Sequence, residues 1–159
     1  MLSFFTTTYV GKLIVIFIIG MTPVLELRGA IPFAAFYGIP FGVAFPVAVL
    51  GNLVPVPFII LFVRRVFLFI RRRIPKLNRL VDRLEEKGRK KQSALEKGTF
   101  VGLFILVAVP LPGTGAWTGA LVAAMTNLRM KYAFPAIALG VVTAGLIMGA
   151  SYLVKGLLF

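Results

Sequence analysis

Long uncharged stretches alternate with single charges or short charged clusters along the chain. Four apolar runs result, over 13–25, 29–63, 98–128 and 132–154. A straight helix needs about 20 residues to cross a hydrocarbon layer roughly 30 Å thick. Run 132–154, interrupted only by Pro135, predicts one crossing. Residues 43–63 predict a second, with Pro46, Pro55 and Pro57 as kink points, because proline has no N–H for the helical ladder. Arg64 and Arg65 would mark the cytoplasmic end of that crossing, and Arg129 with Lys131 that of the other.

The remaining two segments do not fit single crossings. As one helix, residues 99–126 would be about 42 Å long, and their centre is Pro110-Leu111-Pro112-Gly113-Thr114-Gly115, which no continuous helix accommodates well. The flanking pieces, 99–109 and 116–126, each span about half a membrane. Residues 9–38 behave alike. Tyr9–Met21 meets Thr22-Pro23, the chain passes through Glu26-Leu27-Arg28-Gly29, and a helix is expected to resume over Ala30–Gly38. Irregular backbone is not tolerated against lipid at that depth. Each segment therefore predicts a re-entrant helical hairpin that dips into the membrane and returns to its own side.

Shifting the chain by 89 residues aligns Ile16–Gly51 with Ile105–Gly140, and nine of the 36 pairs are identical, among them Pro23/Pro112, Ala44-Phe45-Pro46/Ala133-Phe134-Pro135 and Leu50-Gly51/Leu139-Gly140. The two helix-breaking segments coincide in this alignment. We read a duplication in which each copy is one re-entrant hairpin plus one transmembrane helix. One crossing per copy is odd, so the second copy must be inverted, as in many secondary transporters. The expected fold is thus an all-α integral membrane protein with two inverted repeats, 1–63 and 99–159, joined by a basic cytoplasmic connector helix, 64–98.

Composition and charge sharpen this picture. The 159 residues are 59% hydrophobic and 14% charged, and the mean hydropathy is +0.96. Soluble domains carry about 25% charged residues, so a soluble, disordered or disulfide-stapled chain is excluded. Cysteine and histidine are absent, which removes thiol chemistry, histidine triads and histidine-ligated metals; no metal or cofactor is expected. Of the 18 Lys and Arg residues behind the net charge of +13, most fall between Arg64 and Lys97. The positive-inside rule places that stretch in the cytoplasm and both termini outside, in a multi-pass protein of the cell (inner or plasma) membrane. It also leaves the Gly38–Gly42 exit of the first hairpin outside and uncharged. Arg71-Arg72-Arg73 suits anionic lipid headgroups, and no nucleic-acid motif accompanies the cluster. Leu77, Leu80, Val81 and Leu84 form an apolar stripe on the connector, supported by Glu85–Arg89 and Glu86–Lys90 pairs. The first residues carry no positive n-region and no small-residue cleavage site, and are not read as a removable signal.

Glu26 and Arg28 are the only charges that this topology places at hairpin depth, where an ion costs at least about 2.5–3.5 kcal/mol and is a functional candidate by default. Half-helices returning from near Ala30 and Ala116 would point positive N-termini at the same region, suited to an anion. If the two tips meet at the pseudo-twofold axis, they form one polar site from Glu26, Arg28, Gly29, Pro112, Gly113, Thr114, Gly115 and Trp117. Arg28 would hold a phosphate or carboxylate bidentately. Glu26 would carry the proton; burial and Arg28 pull its proton affinity in opposite directions. Trp117 would stack on substrate or pack. Asn52, inside a crossing, is read as an interhelical hydrogen-bonding residue.

Glu26-Leu27-Arg28-Gly29-Ala30-Ile31-Pro32 and Pro110-Leu111-Pro112-Gly113-Thr114-Gly115-Ala116-Trp117-Thr118-Gly119 resemble the two signature segments of the small multidrug export protein family, itself distantly similar to the DedA/VTT membrane proteins. The resemblance implies two facing re-entrant hairpins and a transport or lipid-scrambling role, with polyprenyl phosphate or phospholipid as substrate and proton coupling in DedA-type relatives. By position, Glu26 and Arg28 match the acidic and basic residues of the first hairpin, and Pro112-Gly113 the turn of the second. The favoured expectation is a transporter or flippase of a phosphate-bearing lipid or other anion, not an enzyme. An exporter of small cationic compounds and a non-transporting membrane-organising protein are the alternatives. Membrane lipids are expected partners, and a homodimer is expected to shield the hairpins.

Overall fold

The computed structural model describes residues 7–73, 82–83, 86, 96–111, 113–126 and 128–158. Pro112 and the apolar stripe of the connector lie outside these residues. The described residues are helical apart from short turns. In chain order the helices are α1 (Tyr9–Met21), α2 (Glu26–Phe36), α3 (Phe41–Leu53), α4 (Pro55–Arg73), α5 (Glu96–Ala108), α6 (Ala116–Met125) and α7 (Met130–Leu158).

Two short helices followed by long apolar helix thus occur twice. The stretches Phe41–Phe69 and Met130–Ala150 are each long and apolar enough to cross a membrane. The first is interrupted at Val54, because Pro55 cannot donate to the ladder. Pro46 and Pro135 lie at the same position, the sixth residue of α3 and of α7. Helix α4 does not stop at the first cytoplasmic arginine but continues to Arg73. Arginine is a good helix former, and no Gly or Pro intervenes before Pro75. The expected connector therefore begins as an extension of the crossing. Asp82, Arg83 and Glu86 are helical and exposed.

The breaks fall where backbone chemistry demands. α1 ends at Met21, and Thr22 closes it by returning both its N–H (3.1 Å) and its hydroxyl (2.7 Å) to Ile19 O. α2 begins at Glu26, not near Ala30. The irregular backbone is Thr22–Leu25, and Glu26, Leu27, Arg28 and Gly29 form the first turn of the returning helix. Pro23 sets this boundary, and Leu-Arg-Gly follows as helix because only the glycine among them is a weak helix former. The second break runs from Val109 to Gly115, as the Pro–Gly pattern predicts.

The packing is close and built on small residues. α1 packs on α3, and α5 on α7; α6 packs on α4 and α7, and α2 on α3 and α7. Ala30, Ala48, Ala116, Ala120, Ala123, Ala133 and Ala136 are fully buried. A Cβ on Gly51 would overlap the backbone carbonyl of Phe17, and one on Gly140 would come within 3.0 Å of Phe104 O. Side chains this small let helices approach without a hydrophobic driving force. Outside, Phe58 (70% exposed), Phe62 (69%) and Leu146 (53%) face away from the bundle. A surface of this kind requires lipid around it, and the protein is a membrane protein.

Candidate substrate and proton site

The turn regions of the two helix pairs touch. Glu26 opens α2 with φ 48°, a left-handed value that a non-glycine residue rarely holds. Its side chain is 6% exposed. The carboxylate lies on the N-terminus of α6, where Oε1 accepts the backbone N–H of Trp117 at 3.1 Å and the N–H of Ala116 adds a second bond. The residue preceding α6, Gly115, has no side chain to cap it. Glu26 provides the missing cap from another element, placing negative charge where the helix dipole and free N–H groups favour it.

Gly115 is what allows this. It holds φ 150° and ψ −167°, a region essentially confined to glycine. A Cβ there would overlap the Glu26 carboxylate. Gly113 (φ 84°) makes the turn and has open space around it. Thr118 fastens that turn with a hydroxyl bond to Gly113 O at 2.9 Å.

Arg28 reaches across as well. Its Nη2 donates to the carbonyl of Thr114 and to Thr114 Oγ1 at 2.8 Å. It acts on Glu26 through its field. The Thr114 hydroxyl in turn lies 2.8 Å from both Val109 O and Leu111 O. Trp117 returns the exchange, its indole Nε1 donating to Met21 O at 3.1 Å. That bond satisfies a carbonyl left over at the end of α1.

Asn52, on α3, is 1% exposed. Its side chain hydrogen-bonds the Glu26 carboxylate, and its Oδ1 is buried with no partner. The carboxylate accepts, so the amide nitrogen is the donor. Between these groups lies a cleft with room for about one water molecule. Its walls come from α2, α3, α5, α6 and α7. Six of the lining residues form three pairs 89 positions apart: Glu26/Gly115, Leu27/Ala116 and Asn52/Val141. Arg28 and Trp117, which make the reciprocal bonds just described, are a fourth such pair.

Most of the residues expected at the site come together: Glu26, Arg28, Thr114, Gly115 and Trp117 touch one another, and Gly113 shapes the turn. Two expectations change. Gly29 does not line the cleft; a Cβ there would meet Leu25 (2.7 Å) and Ile19 (3.0 Å), so it is a packing position between α2 and α1. The α6 N-terminus is not open to an outside anion, because Glu26 occupies it. Asn52, expected to join helices, does so to Glu26 of α2 and lines the cleft as well. An amide inside an otherwise apolar crossing was the available signal, but its target could not be read from the sequence. Among the described residues, no cluster of three or more potential metal ligands occurs.

Comparison with known proteins gives one family. A family model described as "Putative small multi-drug export protein" matches residues 26–147. No curated protein and no solved structure matches the chain.

Proposed function

The chain belongs to the small multidrug export protein family, and from that premise we propose that it is a proton-coupled membrane transporter. Its substrate site lies where two re-entrant hairpins meet at the bilayer midplane. The observation that carries the reading is the pairing of cleft residues at the 89-residue offset. When residues equivalent in two copies face each other across one cavity, a pseudo-twofold axis passes through it. With one crossing per copy, that axis lies in the membrane plane. Glu26 and Gly115 sit on this axis, one copy keeping an acid and the other making room for it.

The chemistry of the occupied N-terminus suggests the coupling. With Glu26 ionised, its carboxylate holds the N–H groups of Ala116 and Trp117 and the site is closed. A proton arriving on Glu26 removes that negative charge. The α6 N-terminus and Arg28 then present uncompensated positive potential, which favours an anion. An anionic, phosphate-bearing substrate would replace the carboxylate there, and proton loss would restore the internal anion and expel it. With a singly charged phosphate beside Arg28 and a protonated Glu26 the loaded site is neutral, which keeps its cost at membrane depth low. The Glu26 carboxylate would thus be an internal stand-in for the substrate's phosphate. Export of a cationic compound is the second reading. The family's description speaks of drug export without giving a charge, and Glu26 supplies a buried acid that a cation could use, but this reading sets the cation against a helix N-terminus.

Reconstitution in liposomes with an imposed pH gradient tests this. Wild-type protein should move a fluorescent phospholipid or polyprenyl phosphate, and Glu26→Gln and Arg28→Ala should not. Cationic dyes moved in preference to phosphate probes would favour the second reading. Equal movement of every probe by both variants and wild type would remove the site from transport.

A further inference from the structure

Asn52 has an unexplained feature. It is 1% exposed and lines the cleft beside Glu26. One end of its amide is bonded to the carboxylate, yet Oδ1, a good acceptor, is buried without a partner. A buried carbonyl left unpaired is unfavourable, because it has given up its water without a replacement. An apolar residue would avoid that cost, and its partner at the 89-residue offset is Val141. An ionised carboxylate has only acceptors and can use the amide nitrogen alone. A carboxylic acid has an O–H donor and needs an acceptor.

We infer that Asn52 is the second half of the proton site: its unpaired Oδ1 is the acceptor for the O–H of Glu26 when that carboxyl is protonated. The amide then serves both states, donating from nitrogen to the carboxylate and accepting at oxygen from the acid. A small rotation within the water-sized cleft exchanges the two. The step is a proton transfer only. An O–H bond forms on Glu26 with a proton drawn from water on the open side, and breaks when the proton leaves to water. Among the described residues that line the cleft, no other side chain is a free acceptor of this kind. Arg28 on α2 is a donor and is held by Thr114. α6 offers the Glu26 carboxylate backbone donors. The linings from α5 (Val107) and α7 (Val141, Ala144, Met148) bring no titratable group. The inference rests on the proton-carrying role proposed for Glu26.

Infrared difference spectroscopy between acidic and alkaline buffer tests it on the whole protein in lipid bilayers. The protein is labelled with ¹³C-asparagine; because Asn78 and Asn127 carry the label too, the Asn52 amide signal is the part of the labelled response that Asn52→Leu removes. Acidification should produce a carboxylic C=O band that is lost in Glu26→Gln. A ¹³C-shifted amide band should change with the same pH midpoint and also be lost in that variant. In Asn52→Leu the Glu26 band should move to the frequency of a carboxyl whose O–H has no acceptor. Three outcomes overturn the inference. A Glu26 band that titrates while the asparagine amide stays silent does so, showing Oδ1 indifferent to the proton or held by a resident water. An Asn52 amide response that persists in Glu26→Gln does so too. Either leaves the proton role of Glu26 intact. A complete lack of a Glu26 band at any pH overturns both readings together.

Discussion

Replacing Gly115 by alanine probes the contact on which the site is built. The added Cβ does two things. It forces a side chain into φ 150°, ψ −167°, at about 1–3 kcal/mol. It also overlaps the Glu26 carboxylate, which must leave the N–H groups of Ala116 and Trp117. Charge-assisted bonds of that kind are worth about 1.5–3 kcal/mol each. The lower ends of these ranges total about 4 kcal/mol, close to a thousandfold in a folding equilibrium. Gly113→Ala is the control: its φ of 84° is also unfavourable, but no atom lies within 4 Å, so only about 1–2 kcal/mol of backbone strain is expected. The chain has one tryptophan, Trp117, at the site itself, and its fluorescence during unfolding in detergent reports directly on this region. Glu26→Ala removes the overlap, so in that background Gly115→Ala should fall to the cost of backbone strain, a coupling of a few kcal/mol. Equal losses for Gly113→Ala and Gly115→Ala, or strict additivity with Glu26→Ala, would refute the placement of the carboxylate against Gly115.

Further expectations concern the frame around the site. Trp117→Phe keeps an aromatic ring, though a smaller one, and removes the bond to Met21 O; it should lower stability by at least about 1 kcal/mol, measured by urea unfolding in micelles, and no loss would mean that the bond is not made. Gly51→Ala drives a methyl into the Phe17 carbonyl, a backbone atom that cannot swing aside, and should cost at least about 1–3 kcal/mol by prising α1 from α3. Gly102→Ala, on a helical position with nothing within 4 Å, should instead stabilise by about 0.5–1 kcal/mol; the opposite order of melting temperatures would contradict the packing. The chain has no cysteine, so single cysteines at Phe36, 83% exposed, and at Arg129 can be labelled without background. The inverted arrangement requires labelling from opposite sides of sealed vesicles, and labelling from one side would rule it out.

Much of the frame was legible in the chain alone, because its causes are local. The lengths of the apolar runs, the ends of α1 and α5 at Met21 and Ala108, the resumption at Ala116 and the interruption before Pro55 all follow from hydropathy, proline and glycine over a few residues. The 89-residue offset, a purely sequential observation, aligned Arg28 with Trp117 and Glu26 with Gly115. The start of α2 at Glu26 differs from the expected Ala30 because Thr22-Pro23 breaks the helix locally while the charged residues after it do not. Arginine and glutamate read as polar and loop-like beside apolar runs, yet both form helix readily once their side chains have partners. What no local pattern contains is which group meets which across some 90 residues of chain. Packing alone decided that Glu26 would cap α6 and so close an N-terminus that looked open to anions. The same packing turned Gly29 toward Ile19 and left Asn52 with one end bonded and the other empty. Helix position follows from short-range propensity and solvent, whereas contact follows from how the described helices, with their alanine and glycine faces, can approach.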